Sequence, residues 1–399
     1  MTSSTARATV AILRTTPGTV VSDYHELMNL AGYRSVIDPS ADTALKINIS
    51  WHFFFPGAST TPWQLDGVIR ALAQDGYDLA QVHACHNRTV VIDAHLGERE
   101  NKQLAVVESH KLRNVHLYEG EEWIDVREAV GDLSKRFLCL NDVYPEGFCI
   151  PRRFIGENIV HLPTVKTHVF TTTTGAMKNA FGGLLNERRH WTHACIYETL
   201  VDLLMIQQKI HRGVFAVMDG TFAGDGPGPR CMTPYAKNVI LASADQVAID
   251  AVSAKMMGFD PLSLDYIRLA HEDGLGMGDA RQIEIVGDVD AARENWNFHV
   301  GKNLVRIGGG DLIWFGPLKR FQKLFFHTPI VNGFILASDV YHDFYRWPLI
   351  DRRVFERWCE TTAWGELFLR YAHSGPQGSP IDALVAPLDT TIPTSNRIH

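Results

Sequence analysis

Cysteine is scarce: the 399 residues contain six, at positions 85, 139, 149, 195, 231 and 359, and no two stand in a Cys-x-x-Cys spacing. Zinc ribbons, thioredoxin-type sites and Cys-ligated iron–sulfur clusters depend on that spacing, so none of them is expected. The scattered thiols read instead as small reduced core residues, which places the chain in the cytoplasm. Long apolar runs are also missing, and nothing approaches the roughly 18–20 residues of a bilayer span. Residues 1–7 are polar and lead into a short apolar segment without the h-region or cleavage site of a signal peptide. There is no basic excess: 38 Lys and Arg face 45 Asp and Glu, a net charge of −7, so no nucleic-acid partner is expected. An anionic ligand would have to be held by a local cluster. The Gly-x-x-x-x-Gly-Lys, Gly-x-Ser-x-Gly and His-Glu-x-x-His signatures are absent, which argues against nucleotide hydrolysis, serine-hydrolase chemistry and zincin chemistry.

What is present is an alternation of short apolar segments and helical periodicities. Residues 8–13 (ATVAIL) and 45–49 (LKINI) read as strands, the first leaving through Pro17-Gly18. Thr61-Pro62-x-Gln64 supplies a cap, a first-turn proline and a capping-box glutamine; Leu65, Val68, Ile69 and Leu72 then form a helical stripe ending at Gly76. Further strands are expected near 79–82, 158–162, 214–218, 239–242 and 283–286, and helices near 193–208, 246–257 and 264–272. The pattern predicts an α/β protein of two lobes with mostly parallel sheets. The lobes would span 1–150 and 151–290, followed by an accessory segment, 291–399, rich in Trp, Phe and Tyr. That segment is expected to pack on the core, with a homo-oligomer interface or contact with a membrane surface as the alternatives for 314–364, and its last stretch, 374–399, to wrap or fray.

The densest chemistry lies in His161-Leu-Pro-Thr-Val-Lys166-Thr-His168, followed by four threonines, 171–174, and by Gly175-Ala-Met-Lys178-Asn179. Lys166 and His168 alternate and would share one strand face. Thr171 and Thr174 hydroxyls, the amides of a helix opening at Gly175, and Lys178 with Asn179 would make an anion site. Lys46 and Asn48 likewise share a strand face. A second cluster, Met218-Asp219-Gly220 through Asp225-Gly226-Pro227, places two carboxylates at the end of a strand, where Asp219 and Asp225 would hold a divalent metal or orient a base; a plain Asp-Gly turn is the alternative. Its prolines forbid the helix of a dinucleotide fingerprint, so no nucleotide cofactor is expected. Asp245 and Asp250 read as cap and first turn of the following helix. The pairs His83-x-x-His86 and His190-x-x-His193 have chelating spacing, which chance also produces among 18 histidines, and His52 either reaches the same strand-end cleft or is a plain surface or core histidine.

In these stretches the chain resembles the domain-of-unknown-function family numbered 362. The resemblance is carried by Lys46-Ile-Asn48, Pro56-Gly-Ala-Ser-Thr-Thr-Pro62, Leu162-Pro-Thr-Val-Lys166-Thr-His168, Thr174-Gly-Ala-Met-Lys178-Asn179, Met218-Asp219-Gly220 through Gly226-Pro227, Ala242-Ser-Ala-Asp245 through Gly258-Phe-Asp-Pro261, and Gly274-Leu-Gly276. It covers roughly residues 8–290. Many relatives carry ferredoxin-like cysteine motifs, which this chain lacks, having the aromatic segment instead. The resemblance implies that Lys46, Asn48, Lys166, His168, Lys178, Asn179, Asp219 and Asp225 form one cleft. The expected activity is that of an enzyme on a small carboxylate- or phosphate-bearing substrate, with isomerase- or lyase-type proton transfer by Lys166 or His168, metal-assisted through Asp219 and Asp225. A metallo-redox protein or accessory subunit, and a non-catalytic anion-binding scaffold, are the alternatives.

Overall fold

The β-branched and aliphatic residues of 9–14 form β1 (Thr9–Arg14), whose side chains alternate between two apolar layers: Val10 and Ile12 enter one, Ala11 and Leu13 the other. The computed structural model describes residues 8–371 except 88, 90, 186, 304 and 305. Eleven further strands follow: β2 (Thr43–Ile47), β3 (Val82–His86), β4 (Arg113–His116), β5 (Trp123–Asp125), β6 (Cys149–Pro151), β7 (Asn158–Leu162), β8 (Thr164–His168), β9 (Thr172–Thr173), β10 (Val214–Asp225), β11 (Thr233–Ser243) and β12 (Glu284–Gly287).

The class is α/β, with ten of these strands in one large mixed sheet whose main path runs β12-β1-β11-β10-β7-β2-β3-β4. The pairs β10·β7, β7·β2, β2·β3 and β3·β4 are parallel, while β11 runs antiparallel to both β1 and β10. Strands from 1–150 and from 151–290 therefore interleave in a single sheet instead of building one sheet per lobe. The cause is the hairpin of β10 and β11, which inserts the later strands between β1 and β2. Helices Ile196–Ile210, Gln246–Met257 and Asp265–Glu272 cover one face; Val20–Leu30, Pro62–Gln74 and Gln103–Ser109 cover the other.

Several local expectations shift by a few residues. The segment 79–82 begins as a helical turn, Leu79–Gln81, and the strand itself is β3. Thr61 caps Pro62–Gln74 by accepting the Gln64 amide, but the Gln64 side chain does not close a capping box; it donates to the carbonyls of Pro163 and Val217, tying the helix to the sheet. No turn forms at Asp219-Gly220, because β10 runs on through a bulge between Gly220 and Phe222.

The aromatic segment divides in two. Helices Arg352–Thr361 and Ala363–Tyr371 place Trp358, Trp364, Phe368 and Tyr371 in the second apolar layer, where Trp364 Nε1 donates to Asn238 and the Tyr371 hydroxyl to Asp66. Residues around 307–350 instead lie over the C-terminal ends of the central strands. The stretch 374–399 lies outside the described residues.

Candidate functional site

Pro163 has no amide to continue the ladder, so the segment 158–168 breaks there into β7 and β8. β7 stays between β2 and β10, whereas β8 follows only the outer half of β10, pairing Thr164 with Asp219 and Lys166 with Gly224. The divergence opens a cavity of about 890 Å³ beyond the C-terminal ends of β2, β3 and β7, the edge at which parallel sheets bind ligands. Residues 307–350 roof it with Trp314, Phe326, Phe334 and Ile335.

Seven of the ten residues proposed from sequence line this space: Lys46, Asn48, Lys166, His168, Thr174, Lys178 and Asn179. Arg189 and Arg230 join them, so five cationic side chains meet there, and no Asp or Glu appears among the described lining residues. Lys46, Lys166, Arg189 and Arg230 are buried and Lys178 is half-buried. Burial pulls Lys46 down to about 8, with the Arg189 charge adding to the shift. Burial and Arg189 likewise bring Lys178 to about 8. Lys166 is held well below the ordinary lysine value, first by burial and then by the charge of Lys178.

The individual geometries narrow each role. Lys166 Nζ donates to the Ala58 carbonyl (2.6 Å) and to Thr164 Oγ1 (2.7 Å). A neutral amine that spends both N–H groups this way keeps its lone pair for a third direction. Among the described residues Lys46 Nζ donates only to the Ile47 carbonyl (2.6 Å). Lys178 has no hydrogen-bonding or ion-pair partner among the described residues and stands over the Phe181 ring at 5.6 Å. His168 Nδ1 accepts the amides of Phe170 (3.1 Å) and Thr171 (3.4 Å), which puts the imidazole proton on Nε2 and makes this ring a donor more readily than a base. Asn179 Nδ2 donates to the Lys46 carbonyl and so joins its short helix, Ala176–Asn179, to the end of β2. Asn48 braces the 58–60 turn by donating to the Ala58 carbonyl, and Thr174 Oγ1 bonds the carbonyls of β8. A Cβ built on Gly182 would lie 3.2 Å from Asn87 Oδ1, 3.7 Å from Lys46 Nζ and 3.9 Å from Arg189 Nη1, so polar ends converge on the space that this glycine leaves open.

Three proposed residues lie elsewhere. Thr171 is buried and donates to the Thr173 carbonyl. Asp219 sits in a network of five donors: Tyr24, Thr61 and Trp63 on Oδ2, and the Thr221 amide and hydroxyl on Oδ1. Those contacts make it a staple between two helices and β10, with its lone pairs committed and, among the described residues, no metal-capable group that includes it; burial nevertheless pushes its pKa up. Asp225, at the end of β10, accepts the His299 amide. The glycine loop after it serves a different end: Thr167 Oγ1 fastens Gly226 to β8, and Arg230 is carried into the cavity, where Nη2 donates to Ser338 and Nη1 has no hydrogen-bond partner among the described residues. Asp245 caps its own helix as expected, but Asp250 reaches across to the amides of Ala176 and Met177, so the helix N-terminus expected to hold an anion is already filled by a carboxylate.

The chelating pairs also separate. His83 and His86 lie three apart on β3 and face opposite sides; His83 belongs with Asp42 and Glu157 at the far edge of the sheet. His86 lines the cavity and shares Glu98 Oε2 (2.7 Å) with His116 (3.0 Å), while Asn114 Nδ2 donates to the same oxygen (2.8 Å). Burial opposes ionisation of Glu98, but the bonds from His116, His86 and Asn114 outweigh it and hold the carboxyl below its usual range. His95 and Glu119 extend the group outward around His116. The ligand-capable atoms of His86, Glu98 and His116 all lie within 4.8 Å of one another, and among the described residues this is the metal-capable group that borders the cavity. Sequence reasoning missed Glu98 and His116 because they come from a helix and a neighbouring strand. His190 and His193 line the cavity but do not chelate together: His190 Nε2 donates to the Phe326 carbonyl and His193 stacks on Trp314. His52 is buried near Asp343 outside the cavity lining.

A thylakoid-associated protein of Synechocystis sp. is 26% identical over 122 residues, 30% of this chain and 37% of that relative, so the chain matches little over a third of the relative's length. A crystal structure of a Thermotoga maritima protein, a Northeast Structural Genomics Consortium target, aligns with 53% of this chain and 51% of its own at 14% identity and a TM-score of 0.33. The profile of the family described as Domain of unknown function (DUF362) matches residues 43–255. That span is more than half of the 399 residues and contains Lys46, Lys166, Lys178 and Asp219, and the chain belongs to the DUF362 family.

Proposed function

We propose that the protein is a cytoplasmic enzyme that binds a small carboxylate- or phosphate-bearing molecule in the cavity and moves a proton on it, in an isomerase- or lyase-type reaction. The observation that carries this reading is the concentration of five cations around one 890 Å³ space with no carboxylate among its described lining residues. Gathering buried cations this closely is costly, and an anionic ligand would offset their mutual repulsion. Lys46, Lys178 and Arg230 would clamp the anion. Lys166, with both N–H groups engaged and its pKa lowered, would take the proton from carbon beside the carboxylate, and His168 Nε2–H would donate to the oxygen that gains charge. The six free cysteines fit a reducing compartment.

A second reading is favoured by one specific observation, the two imidazoles and one carboxylate of His86, Glu98 and His116 at the cavity wall. This ligand set suits a divalent first-row metal with open positions, for metal-assisted or redox chemistry.

The test of the main reading is a thermal-shift and calorimetric titration with mono-, di- and tricarboxylates and phosphate esters, followed by NMR of hydrogen–deuterium exchange in any ligand that binds. Binding at pH 7 that is lost in Lys178→Met, with exchange at the carbon beside the carboxylate lost in Lys166→Met, is the expected result. Binding without exchange in the wild type would make the protein a non-catalytic anion binder, and no binding across the panel would overturn the reading.

A further inference from the structure

Among the described residues, eighteen large apolar side chains stand exposed, and thirteen of them fall between residues 307 and 350. Helix Val331–Asp339 runs without interruption into the wider helical turns of Val340–Asp351. Leu336, Val340 and Phe344 recur along it at intervals of four, on one side, and are 64%, 49% and 75% exposed. The opposite side of the same segment is engaged: Ile335, Tyr341 and His342 line the cavity and Asp343 accepts Trp51 Nε1. The segment thus roofs the cavity with one side and presents apolar surface outward with the other. A contiguous patch of this kind marks an interaction face on a folded protein.

Charge identifies what covers it. The exposed charged residues between 307 and 350 are Lys319, Arg320 and Lys323, all cationic, in a chain whose net charge is −7. The carboxylates of this stretch are paired or partly buried: Asp311 pairs with Lys302, Asp343 holds Trp51, and Asp339 is half-buried. A second copy docking through the same face would set like charges against each other. An anionic bilayer surface complements both properties, receiving apolar side chains among the acyl chains and cations among the headgroups. No helix of the described residues is long and apolar enough to cross a membrane, so the contact lies in the plane of the surface.

We propose that residues 307–350 dock the protein on an anionic lipid surface, with Leu336, Val340 and Phe344 inserted and Lys319, Arg320 and Lys323 among the headgroups. The cavity roof would then lie against the membrane. This proposal does not depend on whether the cavity catalyses or only binds.

The test is co-sedimentation of the full chain with phosphatidylcholine vesicles and with vesicles of equal parts phosphatidylcholine and phosphatidylglycerol, at low and high salt. Binding to the anionic vesicles should exceed binding to neutral ones by at least about tenfold and weaken with salt. Leu336→Asp combined with Phe344→Asp should lower it at least about tenfold, and Lys319→Glu with Lys323→Glu should remove the preference for phosphatidylglycerol; circular dichroism and melting temperature should remain those of wild type. Three results would overturn the proposal: no binding to either vesicle, binding unchanged in the Leu336/Phe344 variant, or a dimer in light scattering that this variant dissociates while vesicles are ignored.

Discussion

The Asp250 carboxylate accepts the Ala176 amide at 2.6 Å and the Met177 amide at 3.1 Å, closing the N-terminus of the helix that carries Lys178. Burial pushes this carboxyl up to about 8, and the two amides oppose the shift. The contact fixes the identity of Gly175: a Cβ there would lie 2.1 Å from Asp250 Oδ1. Gly175→Ala should therefore cost about 2–4 kcal/mol, combining overpacking with loss of the buried hydrogen bonds from the two amides to Asp250. Urea denaturation measures it directly, and a change below about 0.5 kcal/mol, the scale of a neutral surface substitution, would show that the cap is not a constraint.

Lys46 and Lys178, both brought to about 8, predict a pH dependence of known sign. Their folded pKa values lie below the unfolded value of about 10.4. Their stabilising contribution is thus complete only above that unfolded value and is lost as pH falls through 8, where each must carry a charge inside a cavity with no carboxylate among its described lining residues. Lys46→Met and Lys178→Met should each raise stability at pH 7 by about 1–3 kcal/mol and give little at pH 10. Anion binding should run the other way, weakening as pH rises through 8. Equal stabilisation at both pH values would show that the gain comes from packing and not from charge.

Asp219 offers a contrast between a structural and a chemical carboxylate. Its five donors come from Tyr24, Thr61, Trp63 and Thr221, and removing it leaves them buried without a partner. Asp219→Ala should destabilise the fold by about 3–5 kcal/mol while leaving metal content and anion affinity of the folded fraction unchanged. Loss of bound metal in a variant that is still folded would reverse the assignment.

The fold was readable where periodicity is strong and the neighbours are local. The helix Pro62–Gln74 announces itself through Thr61, Pro62 and one apolar stripe, and strand alternation alone places Lys166 and His168 on one face. The cavity lysines were legible for the same reason, since Lys46 stands near the end of the apolar strand β2 and Lys166 alternates with His168 along β8. Interleaving of the strands was not, because the β10–β11 hairpin depends on pairing between distant segments. An Asp next to Gly reads as a turn or as a strand-end ligand with equal ease, and only the converging side chains of Tyr24, Thr61 and Trp63 distinguish Asp219 from both. Arg230 and Glu98 gave no signal because each is brought in from a loop or helix by contacts that leave no regular spacing.

The relation between His86 and His116 yields the most discriminating prediction. Their Nε2 atoms meet on Glu98 Oε2, and their rings lie edge to face with centroids 4.7 Å apart. The Glu98 bond raises His116 above the ordinary histidine value, so a metal entering here would displace a proton held more tightly than usual. Uptake should accordingly strengthen as pH rises from about 6 to 8. Cobalt(II) titration of the purified protein, read by visible absorption and checked by elemental analysis, should saturate at one ion per chain. His86→Ala and His116→Ala should abolish that spectrum, and Asn114→Ala, which removes a donor to Glu98, should weaken affinity by about 10–100-fold. His83→Ala should leave it intact, because His83 faces Glu157 at the other edge of the sheet. Should the wild type take up no cobalt, zinc, iron or manganese at pH 8, or should the His86→Ala, His116→Ala double variant retain the ion, Glu98 is a hydrogen-bonded anchor for two imidazoles and the cavity works through its lysines alone.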